Sequence, residues 1–148
     1  MVIEGLLGAE RVFVRLRAAD KAKLLADLAK RAAAALGLPV AAIAVPLAAR
    51  EALGSTGVGA GIAVPHARIE GLAALTGFFA RLDKPIAFAA IDGQPVDLVF
   101  LLLSPAQATG DHLAALAAMS RRLRDRAVAD AIRASDDAAE IRALLTRG

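Results

Sequence analysis

VDLVFLLL, Val96 to Leu103, carries a single charge, Asp97, in an otherwise apolar run. A strand with one wet face alternates apolar and polar side chains, so a run this apolar reads as a strand covered on both faces. Covering both faces takes helices above and below the sheet, which is the α/β arrangement. Toward the N-terminus, Asp92-Gly93-Gln94-Pro95 is a turn signal, and Leu75 to Leu82 reads as another strand. Ile62-Ala63-Val64 reads as a short buried strand, with His66 just past its end. Glu10 to Leu16 (ERVFVRL) alternates as a half-buried strand does.

Helices fill the intervals. Asp20 offers an N-cap, Leu24, Leu25, Leu28 and Ala32 share one face, and Gly37 ends the segment. Pro39 starts a second helix, which Pro46 must kink or divide, because proline lacks the N–H that a helix interior uses. Beyond VDLVFLLL, one helix starts near Thr109 to Asp111 and runs to about Arg124, and another covers about Arg126 to Ala134. The last follows Ser135-Asp136-Asp137, where Asp137 and Glu140 have capping-box spacing. The expected fold is α/β, a mixed, partly parallel sheet flanked by helices, in a single domain over residues 1–148.

Composition removes several function classes. With 57% hydrophobic and 22% charged residues, the 148-residue chain builds a core and is not disordered. It has no Cys, so disulfides, thiolate catalysis, zinc fingers and iron–sulfur clusters are excluded. Its only aromatics are five Phe, which argues against base-stacking platforms and carbohydrate clamps. The net charge is +3, from 14 Arg and 4 Lys that are mostly scattered. The run Arg121, Arg122, Arg124 and Arg126 reads as a solvated helix face, and no nucleic-acid partner is expected. Met1 to Gly5 has an acid where a signal peptide needs a base. Ala32 to Ala49 is uncharged, but it contains Gly37, Pro39 and Pro46 and is mostly Ala. No membrane insertion is expected, and the cytoplasm is the expected location.

The chemistry centres on two histidines, His66 and His112. A neutral imidazole titrates near neutrality and is a nucleophile toward phosphorus. Residues 54 to 61 (GSTGVGAG) place four glycines just ahead of His66, which suits close backbone approach rather than packing. On these residues alone, His66 is open between a lone surface or capping histidine and a reactive one. His112 shares a stripe with Leu116, Met119 and Leu123 and is open between a core-edge histidine and a second imidazole beside an anion. Its place at a helix N-terminus suits negative charge. No metal is expected: two histidines 46 positions apart do not make a metal-ligand motif.

The stretch Arg50 to His66, REALGSTGVGAGIAVPH, closely resembles the active-site segment of the enzyme IIA domains of the bacterial phosphoenolpyruvate-dependent phosphotransferase system. The resemblance is to the fructose/mannitol class and its nitrogen-regulatory branch, and DGQPVDLVFLLL and His112-Leu113 extend it. It implies the mannitol/fructose-type IIA fold and a phosphoryl group carried on Nε2 of His66, received from an HPr-like carrier. It implies that His112 is the second active-site histidine and Arg50 the active-site arginine. Ser55 and Thr56 match the Ser-Thr beside the site, and Arg68 falls where the family often has a base. No cofactor is implied. ERVFVRLRAADKAKLLADLAKR looks like the nitrogen-regulatory branch, whose members bind target proteins according to phosphorylation state. A sugar-specific IIA that passes phosphate to a IIB domain would have the same site. A binding module that is never phosphorylated and a small hydrolase using Ser55 and His66 are the rivals from other classes. One departure from the family pattern is Pro46, within a helix that is often proline-free.

Overall fold

The structure, a computed structural model, describes residues 3–107 and 110–147. Helix α1, Lys21–Leu36, starts where the Asp20 carboxylate accepts the Lys23 backbone N–H at 2.8 Å. Gly37 closes it in the left-handed conformation, φ 68°. Leu24, Leu28, Ala29, Ala32 and Ala33 are buried, whereas Leu25 is half-buried at the edge of the expected face. Pro39 caps helix α2, Val40–Leu53, which runs through Pro46 undivided. The ladder bond from Pro46 to the Ala42 carbonyl cannot form. Ile43 and Leu47, buried with Leu24 and Leu28, anchor the helix on both sides of that gap. Ala32 to Ala49 therefore spans the end of α1, a turn and the start of α2. Among the described residues no helix is long and apolar enough to cross a membrane.

The strands are β1, Val12–Leu16; β2, Gly57–Gly59; β3, Ile62–Ala63; β4, His66–Ile69; β5, Thr76–Ile86; and β6, Val96–Pro105. Two expectations need correction. Glu10 and Arg11 lie in a 3-10 turn, Ala9–Arg11, ahead of β1. Two adjacent charges break the alternation there, and the Arg11 side chain turns back to the Gly77 and Leu6 carbonyls, 3.0 Å each. His66 follows β3 as expected, but it also begins a strand of its own, β4. β3 and β4 both run parallel along the same edge of β6, β3 beside Leu98 and Val99 and β4 beside Leu102 to Pro105. They are one rail interrupted at Val64-Pro65, where proline has no N–H for the ladder.

The sheet order is β1-β5-β6-β3-β2, with β4 also on β6. β1 is parallel to β5, β5 antiparallel to β6, and β2 antiparallel to β3, so the sheet is mixed. β6 is its centre, covered on both faces as its composition requires. Val99, Leu101 and Leu103 pack with α1 and α2. Leu98, Phe100 and Leu102 pack with the C-terminal helices α3, Asp111–Arg124, α4, Arg126–Arg133, and α5, Ala138–Thr146. Thr109 lies outside the described residues. Asp125 caps α4, and Asp137 caps α5 through the Ala139 and Glu140 amides. Arg121, Arg124 and Arg126 are exposed, while Arg122 folds back onto the Leu144 carbonyl at 2.8 Å.

Candidate functional site

A cleft of about 300 Å³ lies between the C-terminal half of α2, β4, the end of β6 and the start of α3. It is lined by Pro46, Arg50, His66, Arg68, Ser104 and His112. Residues 50, 66, 68 and 112 thus converge from three segments far apart in sequence. The place is where open α/β sheets form sites, outside the carboxyl end of a central strand.

His66 is half-buried, and both of its ring nitrogens have partners. Nδ1 lies 2.9 Å from the Val64 carbonyl, and Nε2 lies 3.3 Å from Nε of Arg50. A carbonyl only accepts and a guanidinium only donates, so the pair assigns the tautomer: Nδ1 carries the proton and Nε2 the lone pair. The basic nitrogen is therefore the one beside Arg50 in the cleft. Arg50 itself is steadied by a bond from Nη1 to the Gly54 carbonyl at 2.8 Å. Pro46 lies one helical turn before Arg50 and does not divert it from the site.

His112 sits in the first turn of α3, with Nε2 3.4 Å from the Arg68 guanidinium. Its Nδ1 is buried without a hydrogen-bond partner among the described residues. The Arg68 guanidinium also reaches the Ala106 carbonyl at 3.3 Å. Ser55 and Thr56 take a different place. The Ser55 hydroxyl donates to the Phe88 carbonyl at 2.9 Å, and that of Thr56 to Glu51 at 2.7 Å, so both shape the loop. Gly61 is tight because a Cβ there would come within 2.6 Å of Nη2 of Arg133, which forms a two-pronged ion pair with Asp97. The reading from sequence overlooked Glu51, Arg133 and Asp97. The signal for Glu51 was its place inside the Arg50 to His66 motif; nothing local marks the other two. Among the described residues no group of three His, Asp or Glu is placed to hold a metal ion.

Burial pulls the His66 pKa below its ordinary 6.5. The Val64 carbonyl opposes this, Arg50 and the His112 ring add to it, and Glu51 opposes it weakly. The ring is consequently neutral at pH 7, the form in which Nε2 is a nucleophile. The linkage has a definite sign. On acidification the unfolded chain binds this proton first, so His66 lends its full stability above the unfolded pKa and loses it as the pH falls toward the folded one. Urea unfolding from about pH 7.5 to 5.5 should show a steeper loss of stability for the wild type than for His66→Asn. Parallel slopes would contradict the burial effect.

The family model for the phosphoenolpyruvate-dependent sugar phosphotransferase system, EIIA 2, matches residues 5–148. A nitrogen regulatory protein of Bradyrhizobium diazoefficiens is 46% identical over 145 residues, covering 98% of this chain and 95% of that protein. The nitrogen regulatory protein of Escherichia coli K12 is 37% identical over 97% of this chain and 89% of its own length. The crystal structure of the nitrogen regulatory protein IIA-Ntr from Neisseria meningitidis superposes with a TM-score of 0.92 at 35% identity, covering 97% of this chain and 99% of that one. The IIA mannitol crystal structure from E. coli shares the fold, with a TM-score of 0.78 at 20% identity. A chain matched from residue 5 to its last residue by that family model belongs to the EIIA type-2 family of the phosphotransferase system.

Proposed function

We propose that this protein is a cytoplasmic phosphocarrier that accepts a phosphoryl group on Nε2 of His66 from the phosphohistidine of an HPr-like carrier. One observation carries the reading: the Val64 carbonyl holds the Nδ1 proton, leaving the Nε2 lone pair in the cleft beside Arg50. In the transfer, Nε2 forms a bond to phosphorus while the P–N bond to the carrier's imidazole breaks and its electron pair returns to that ring. Positive charge develops on the His66 ring as Nε2 gives up its lone pair. The Val64 carbonyl, already accepting the Nδ1–H, stabilises that charge. Arg50 loses its acceptor when Nε2 binds phosphorus and turns to the phosphoryl oxygens; Arg68 supplies a second positive charge beside them, with the His112 ring against it.

The output we propose is regulatory. A phosphorylated His66 adds roughly two negative charges to a cleft that now presents two arginines and two imidazoles. A target that docks on one form is repelled by the other. Full-length similarity to proteins named nitrogen regulatory protein supports this branch. The fructose-specific EIIA component of Haloferax volcanii, 45% identical, aligns over only half of this chain. In the alternative, a sugar-specific IIA, the same phosphate would pass to a IIB domain.

Mixing the protein with phosphoenolpyruvate and the general carrier proteins should add the mass of one phosphoryl group. No added mass with any carrier would end the proposal. Arg50→Leu removes a charged donor worth about 1.5–3 kcal/mol, so rapid-quench transfer should slow roughly ten- to a hundredfold with folding intact. An unchanged rate would leave Arg50 without a role in transfer.

A further inference from the structure

Glu51 follows Arg50 in α2, yet successive helical residues diverge by about 100°, so it faces away from the cleft. Its carboxylate is 8% exposed and fully engaged. Oε2 accepts the Thr56 backbone N–H at 2.9 Å and lies 2.6 Å from Nζ of Lys21; Oε1 accepts the Thr56 hydroxyl at 2.7 Å. Lys21 is held in turn, donating to the Phe88 carbonyl at 3.1 Å with its ammonium over the Phe88 ring. The Lys21 side chain stays 24% exposed, so the pair is partly buried, and taking its carboxylate out of water costs free energy that apolar packing would not. That carboxylate grips the loop at Thr56 that leads to His66.

What the clamp grips gives it a use. The Thr56 carbonyl accepts the Val64 N–H at 2.9 Å, and the Val64 carbonyl holds Nδ1 of His66. One chain of hydrogen bonds thus runs Lys21, Glu51, Thr56, Val64, His66. The same turn presents the Gly54 carbonyl to Arg50. We infer that Glu51 is a positioning residue: by clamping Thr56 it fixes the Val64 carbonyl and the Gly54 turn, and so sets both the tautomer of His66 and the approach of Arg50. This rests on His66 being the phosphoacceptor. Lys21 and the Thr56 hydroxyl hold the Glu51 carboxylate in place, and Oε2 of that carboxylate holds the Thr56 peptide N–H.

The test uses the full chain, with potassium phosphoramidate as a small phosphoryl donor, so that no carrier interface intervenes. Nε2 bonds to phosphorus and the donor's P–N bond breaks as ammonia departs. Ring-nitrogen NMR on the unphosphorylated protein reads the His66 tautomer separately. Glu51→Ala should turn the single Nδ1–H form into a mixture of tautomers and slow phosphorylation at saturating donor roughly ten- to a hundredfold, and Thr56→Val, which keeps the peptide N–H on Glu51, should move both in the same direction by less. Thr56→Ser, which keeps the hydroxyl, should behave as the wild type. Wild-type tautomer and rate in a folded Glu51→Ala or Glu51→Leu would overturn the inference, even if thermal stability fell, because a purely structural clamp moves stability alone. A wild type that takes no phosphate from phosphoramidate or from the carriers while Glu51→Ala still alters the tautomer would sink the phosphoacceptor reading and leave the positioning role standing.

Discussion

His66→Ala should abolish phosphoryl uptake, leaving no added mass after incubation with phosphoenolpyruvate and the carriers. The expectation is a loss rather than a slowing, because no neighbour replaces the nucleophile. The other imidazole, His112, has its Nε2 against Arg68, and the orphan Nδ1 is buried. The Ser55 and Thr56 hydroxyls donate to Phe88 and Glu51 and do not face the cleft. The substitution removes a half-buried ring whose hydrogen bonds go to one carbonyl and one arginine, so the fold should persist. Uptake by His66→Ala at the wild-type stoichiometry would place the phosphate elsewhere and undo the assignment.

Phe100→Ala should cost roughly 3–5 kcal/mol of stability, which is a large part of the total for a domain of this size. Phe100 is fully buried at the middle of the central strand, directly opposite Phe79 on β5. Its ring lies over Gly77, so close that a Cβ on that glycine would come within 2.8 Å of it. It packs with Met119, Leu123 and Ile141 from two of the C-terminal helices. Truncation leaves a void that two rigid layers cannot close. Urea unfolding should show a lower midpoint with the slope retained. A loss under about 1 kcal/mol would mean that the helices collapse onto the sheet more freely than such packing allows.

Much of this architecture was legible because it follows from local rules. VDLVFLLL announced a strand covered on both faces, and β6 has that place. Asp20 and Asp137 start their helices through capping carboxylates, and Gly37 ends one through its left-handed backbone. What escaped was set by distant partners. HARI, four residues after a proline, is too short to declare itself a strand; β6 makes it one. β5 runs past the expected end at Leu82 to Ile86: Asp83 and Lys84 break the apolar pattern, but pairing to β6 resumes at Ile86. In the candidate site, residues 50, 66, 68 and 112 could be named from their resemblance to a family. Their convergence on one cleft, and the hydrogen bonds that assign His66 its tautomer, depend on the folded chain.

The break at Val64-Pro65 has a consequence for how this site withstands mutational drift. The carbonyls of residues 61 and 65 accept the β6 amides, so that of residue 64 points off this ladder and is left for the imidazole two residues on. A side-chain carboxylate in that post could be erased by a single codon change, whereas a peptide oxygen is present whatever residue 64 becomes. Variation at 64 should therefore be tolerated as long as the side chain fills its buried space. The vulnerable position is its neighbour, where any residue bearing an N–H would invite the two short strands to fuse.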